Sequence, residues 1–362
     1  MMRGPLAAYL RRLLLSRTIG VLVALTALLQ LLEMLDVTTD ILKRHLGLAG
    51  VLRYTMLRLP TELVLSLPLA MLVGSLFTFY TLARHHEYVA VRAAGIRLRS
   101  VVGAMLPVAV LFALLQFAIA DRIVPRSEAA LAAWWQSTAP PAKDPDRKQD
   151  RQLSWFRTDD GLVSVKQASR DGRHLDGVTI YRRDADGRFT GRISADALDW
   201  QDRAWSLSRM DSISLGDGTL QREQQAQAPW RSNLQPSDLR RLDSPSLPMS
   251  SATLLDVLTG ARVGDRPLSW YRTALYRSYA APLLLVLMLL LALPSTQAVQ
   301  RGGHGGGALL LALGAGLGMT LVSGLLGSLG QGGRLPAAVA AGLPLLLFGA
   351  LGLAWLYRYD RL

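Results

Sequence analysis

Six stretches of the chain carry almost no polar residue: 13–35, 61–82, 101–120, 280–294, 308–329 and 337–356. Each comes near the ~20 residues with which a helix crosses a ~30 Å hydrocarbon core, so the pattern predicts six membrane spans. Between the third and fourth the texture changes for about 145 residues, far more than a connector needs. Short apolar–polar alternations replace the greasy runs. "LSWFR", "TDDG" and "LVSVKQA" read as strand, turn and strand, and "GVTIYRR–DADG–RFTGRISA" and "ALDW–QDRA–WSLSRM" repeat the pattern. Asp-Gly pairs at 160–161, 171–172, 186–187 and 217–218 supply the positive-φ residues of tight turns. Trp155, Trp200, Trp205 and Trp230 are the expected core and cross-strand anchors. Strands at this spacing predict a sandwich, barrel or jelly roll. The flanking segment 134–150 reads as a mobile strap. "MSSATLLDVLTGAR" reads as a short helix capped by Ser250 or Ser251.

The expected fold is therefore an α-helical membrane protein with six transmembrane helices and an inserted extracytoplasmic all-β, jelly-roll-like domain. Residues 1–124 form the first membrane half, 125–267 the β domain with its linkers, and 268–362 the second half. The first run has basic residues before it, but it is longer than a signal h-region and ends in "LLEMLD", so it is read as an uncleaved span.

Charge then sets the orientation. Arg3, Arg11, Arg12 and Arg17 precede span one, Arg84, Arg92, Arg97 and Arg99 lie between spans two and three, and Arg358 and Arg361 follow span six. Six spans place all three groups on one side, the cytoplasm by the positive-inside rule. Both termini are then cytoplasmic and the β domain lies outside. Segment 36–58, with Lys43, Arg44, Arg53 and Arg58, falls on the outer side as a loop. The formal net charge of +13 does not indicate nucleic acid. Residues 125–270 hold 21 Lys and Arg against 20 Asp and Glu, so the excess gathers at membrane borders.

Catalytic chemistry is sparse. No G-x-x-x-x-G-K-[ST] appears, and none of the four lysines follows a glycine. There is no cysteine and no H-E-x-x-H, and the neighbours His85 and His86 point to different faces of a helix. No catalytic residue, bound cofactor or metal is expected. Glu62, Asp121 and Arg122 at span ends are read as interfacial anchors.

Two stretches stand out. Span five, "LGAGLGMTLVSGLLGSLG", places small residues at 314/318, 316/320, 323/327 and 324/328, a spacing that lets helix backbones approach closely. Gly314, Gly318, Gly324 and Ser328 are its candidate gate or packing positions. The second is "LARHHEYVAVRAAGIRLRS", between spans two and three. It predicts a helix over 83–94 with Glu87, Val91 and Ala94 on one stripe and Arg84, Tyr88 and Arg92 on the next, stopped by Gly95.

That second stretch resembles the coupling helix of the lipopolysaccharide-export permeases, the LptF/LptG type of ABC-transporter membrane subunit. The family's typical pattern there is SE(L/M)-x-(A/V)-x-(R/Q)-A-(S/C/A)-G, and Glu87 falls on its acid. "LPTELVLSLPLAMLVGSL" resembles the family's second span, "LDGVTIYRRDADGRFTGRISADALDWQDRAWSLSRM" its β-jelly roll, and "YAAPLLLVLMLLLALP" its fourth span. "LLEMLDVTTDIL" and the overall length point to the LptG type. The resemblance implies a non-catalytic subunit in a bacterial inner membrane, paired with a homologous LptF-type permease. Glu87, Tyr88, Val91, Arg92 and Gly95, within coupling helix 83–95, would meet an LptB-type ATPase dimer that supplies ATP and Mg. Spans one and five of opposite subunits would form lateral gates. The β domain would pass lipopolysaccharide to an LptC/LptA-type jelly-roll bridge. One departure is visible: where the family often carries basic residues near the outer end of span one, this chain has Glu33, Asp36 and Asp40, with Lys43–Arg44 further on. A membrane-anchored periplasmic scaffold is the rival reading, although one span would suffice for an anchor.

Overall fold

The computed structural model describes residues 4–138, 154–158, 161–169, 172–184, 188–201, 204–216, 219–230, 232, 234–236, 247–297 and 305–361. Of the predicted strap over 134–150, residues 134–137 are instead the end of a helix, Val124–Ser137, whereas 139–150 and several Asp-Gly turn residues lie outside the described residues. The chain divides into a helical unit, Met1–Ala139, Pro248–Ser250 and Arg272–Leu362, and a second unit, Pro140–Leu247 and Ser251–Tyr271.

Six helices of the described residues are long and apolar enough to span a membrane. Helix α1 covers Pro5–Lys43 and α2 covers Gly47–Arg84. At 39 and 38 residues each reaches about 57 Å, nearly twice a ~30 Å hydrocarbon core. Segment 36–58 is therefore not a loop; the chain reverses only at Arg44–Leu46. Ile41 and Tyr54 within it are buried in one cluster with Leu131 and Trp134 from further along the chain. After the short α3 (Glu87–Ala93), span three runs as α4 (Leu98–Ala118), a π-helical turn (Ile119–Ile123) and α5 (Val124–Ser137). The wide turn directly precedes Pro125, which has no N–H to continue an ordinary helical ladder. In the second half, α7 (Leu268–Leu291), a buried 3-10 turn (Leu293–Gln297), α8 (Gly305–Gln331) and α9 (Ala337–Arg361) follow. Leu72, Met105, Leu289 and Ala312 belong to one core shared by α1, α2, α4, α7, α8 and α9.

The second unit carries one antiparallel sheet, β1 (Ser154–Thr158), β2 (Gly161–Ala168), β3 (His174–Arg183), β4 (Phe189–Gln201), β5 (Ala204–Gly216) and β6 (Thr219–Trp230), in sequential order. Each strand pairs with its chain neighbour, so the described connectivity is a meander and not the Greek key of a true jelly roll. Short helix α6 (Ser251–Leu258) follows the sheet, as predicted.

A crease crosses the sheet. Ladder pairing is interrupted at Lys166, Gly177, Asp196, Arg209 and Ala226, which stand opposite one another from β2 to β6. Gly177 and Arg209 have φ of 60° and 51°, a left-handed conformation that breaks strict alternation. Buried positions switch phase across this line, from Leu175 to Val178 and Ile180 on β3, and from Trp205 and Leu207 to Met210 on β5. Side chains from both halves thus join one core. Trp205 and Trp230 are buried there, and the Trp205 indole donates to Leu234 O at 2.8 Å. Trp155 is 46% exposed and stacks on Tyr181, so it is an outer-face pair and not a core anchor.

Candidate functional site

The segment between spans two and three is built from two special backbone positions. Helix α2 ends at Arg84, and His86 then takes φ 59°, which breaks the helix before α3 starts. The predicted helix over 83–94 is accordingly shorter, seven residues from Glu87 to Ala93. Gly95, at φ 75°, closes it: its N–H bonds to Arg92 O at 2.9 Å and the Ile96 N–H to Val91 O at 3.2 Å. A glycine suits this left-handed stop because it has no Cβ to clash. Val91 and Ile96 press on the helical core, whereas Val89 and Arg92 face outward. One contact was not predicted. Tyr9, at the start of α1, donates its hydroxyl to Glu87 Oε1 at 3.1 Å. The side chain of Tyr88 lies outside the described set.

Beside α3, Arg97 and Arg99 at the start of α4 line a cavity of about 640 Å³ with Leu353, Tyr357 and Asp360 of α9. Arg99 reaches Asp360 twice, through Nε at 3.7 Å and through its backbone N–H at 3.2 Å. The first and last spans are thereby both tied to the ends of this segment.

Helix α8 has two glycine faces. A Cβ built on Gly316 would meet Leu72, one on Gly327 would meet Arg277, and one on Gly330 would meet Thr273 and Ala340. The predicted positions lie elsewhere. Gly314 and Gly324 have nothing within 4 Å of such a Cβ, and Gly318 meets only Phe348 at 4.0 Å. The Ser328 hydroxyl donates to Gly324 O at 2.9 Å, back into its own helix. Gly314, Gly318 and Gly324 therefore make no close packing among the described residues, Ser328 is exposed, and their stripe is open. Only 17% of the apolar window of α8 is buried, and 11% of that of α1, against 56% for α2 and α7.

Toward the far end of α1 lies a polar cluster among α1, α2 and α5. Arg58 forms ion pairs with Glu33 at 2.8 Å and Glu128 at 2.7 Å. Tyr54 donates to Glu33 at 2.7 Å and Thr61 to Glu128. Glu62, only 2% exposed, accepts from the Gln30 amide once that group is turned to face it. Glu62 is therefore a buried member of a network and not a surface anchor. Glu128 escaped sequence reading because its segment looked like the start of a linker. No group of three or more His, Cys, Asp or Glu among the described residues forms a metal site.

Residues 8–358 match the family model of the lipopolysaccharide export system permease LptF/LptG. The chain belongs to this family. It is also similar to the lipopolysaccharide export system permease protein LptG of Escherichia coli strain K12, with 23% identity over 295 residues and 80% of each chain covered. The LptG of Escherichia coli O6:H1 strain CFT073 matches to the same extent. Family membership makes the chain a multi-pass inner-membrane permease subunit of a lipopolysaccharide export system, with the six spans and inserted β domain described above.

Proposed function

We propose that the chain is the LptG-type subunit of an ATP-driven exporter in which α3 receives the push of a cytoplasmic ATPase. The observation that carries this reading is the Tyr9–Glu87 bond. It links a short charged segment at the membrane border to α1, the span least covered by the rest of its own chain. A force on α3 is therefore passed to a helix whose apolar stretch is only 11% buried. Helix α8, the next least covered, offers the open stripe of Gly314, Gly318, Gly324 and Ser328. An LptF-type sibling covers these two surfaces, and α1 and α8 of opposite subunits part and close as lateral gates. ATP and Mg bind to an LptB-type ATPase dimer, and this chain supplies no catalytic group. Closure expels lipopolysaccharide toward the β unit, which hands it to an LptC/LptA-type bridge in the periplasm.

The test is purification of the tagged chain from native membranes, followed by ATPase assay of the complex for wild type, Glu87→Ala and Tyr9→Phe. Co-purification of a six-span sibling and a soluble ATPase is expected. Glu87→Ala should impair assembly or hydrolysis, and Tyr9→Phe should leave assembly intact while weakening stimulation of hydrolysis by lipopolysaccharide. Recovery of the chain alone, or wild-type hydrolysis by Glu87→Ala, would replace this reading with the membrane-anchored scaffold.

A further inference from the structure

An anionic glycolipid needs cations at headgroup depth, and those around the α1–α2 turn are already engaged. Arg58 is shared by two carboxylates, Lys43 pairs with Asp40 at 3.6 Å, and Arg44 lies over the Trp135 ring at 3.9 Å while donating to Thr138. Arg277 on α7 differs. It stands three residues before the apolar run 280–294, where a span meets the headgroups. Its guanidinium lies across Gly327 of α8, where a Cβ would come within 2.6 Å of Arg277 Cζ. Only glycine leaves this berth open.

The half-buried Arg277 lines a cavity of about 330 Å³ together with Ser278, Ser323, Gln331, Ala341 and Pro344. None of the described residues that line that cavity is acidic. Among the described residues no carboxylate comes within ion-pair distance of Arg277, and the buried Ser323 hydroxyl oxygen has no hydrogen-bond partner. A desolvated cation without a counter-ion, next to an unsatisfied hydroxyl, is costly. A tetrahedral oxyanion relieves both: the guanidinium forks onto two oxygens and the hydroxyl donates to a third.

We propose that this cavity is a phosphate site for a lipid headgroup, with Arg277 as its ligand and Ser323 as its second donor. That the lipid is the exported glycolipid rests on the function proposed above; the phosphate of a bilayer phospholipid shares the chemistry.

The experiment uses the purified complex in phosphatidylcholine nanodiscs doped separately with lipopolysaccharide, enzymatically dephosphorylated lipopolysaccharide, or phosphatidylglycerol, and reads retained lipid by mass spectrometry. Arg277→Gln should lower retention of phosphorylated lipopolysaccharide about tenfold or more, the worth of a charge-assisted contact. Retention of the dephosphorylated form should not change. Arg277→Lys should lose less. Gly327→Ala should also lower retention, because it keeps the charge and displaces the guanidinium, and these two variants carry the test if Arg277→Gln does not fold. A loss confined to phosphatidylglycerol supports the phosphate site and assigns it to a resident phospholipid. Unchanged retention of both phosphorylated lipids overturns it. Failure of the export reading itself would look different: the wild type would hold lipopolysaccharide no better than background, while phosphatidylglycerol still responded to Arg277.

Discussion

Residue by residue, the charged groups divide by what faces them. Arg58 meets two carboxylates inside a helical cluster, where removing one partner strands the others. Arg277 meets none. On the sheet, His174 of β3 stands opposite Asp199 of β4, with Nδ1 2.6 Å from its carboxylate and Nε2 3.1 Å from Asp176. The hydrogen bond to Asp199 above all raises the imidazole pKa, followed in the same direction by Asp176. A group whose folded-state pKa is raised contributes its full stability below the unfolded value, near 6.5, and loses it as pH rises through the folded value. Because His174 is 45% exposed, solvent screening keeps the effect small. In detergent, the thermal midpoint of the wild type should fall more between about pH 6 and about pH 8 than that of His174→Gln. Equal slopes would show that the pair contributes nothing.

Whole elements show how small residues take different parts on one helix. Gly314 and Gly316 of α8 stand two positions apart, one open and one against the buried Leu72. Alanine is worth up to ~1 kcal/mol over glycine in a helix, whereas overfilling a packed core costs roughly 1–3 kcal/mol. Gly314→Ala should therefore hold or raise the thermal midpoint of the isolated chain, and Gly316→Ala should lower it. Matching shifts would mean that α8 does not present these two faces. The spacing of small residues in span five was visible in the sequence, but four pairs of small residues satisfied it equally. Which face packs depended on Leu72 and Arg277, contributed by helices far away in the chain. The sheet was visible in the same partial way. Alternation and turn residues announced the strands, while the crease required two left-handed residues, one of them an arginine that no propensity favours there.

On the scale of the molecule, the two least buried spans, α1 and α8, are those the family resemblance assigns to gates. Leu31 and Leu321 on them are 59% and 67% exposed. The chain has no cysteine, so Leu31→Cys and Leu321→Cys each add a single reporter. A membrane-permeant maleimide should label both readily in the isolated chain and severalfold more slowly in the complex with its sibling. Equal labelling would remove these faces from the subunit interface.

The number of spans, the inserted β domain and the short charged segment around Glu87 were determined by the sequence alone. Each rests on local regularity: unbroken apolar runs, period-two alternation, and a charged patch closed by a glycine. Tertiary structure decided what local patterns cannot encode. Residues 36–43 and 47–58 became helix, with Ile41 and Tyr54 in a shared core with α5. Glu62 and Glu128 became partners in a buried polar network, and Tyr9 met Glu87 across 78 positions of chain. Nothing in the sequence pattern singles out Arg277; only the approach of α8, with glycine at 327, left its guanidinium in a cavity with no counter-ion among the described residues. Composition sets how much charge a border carries, but the packing of distant helices sets which charges are already paired.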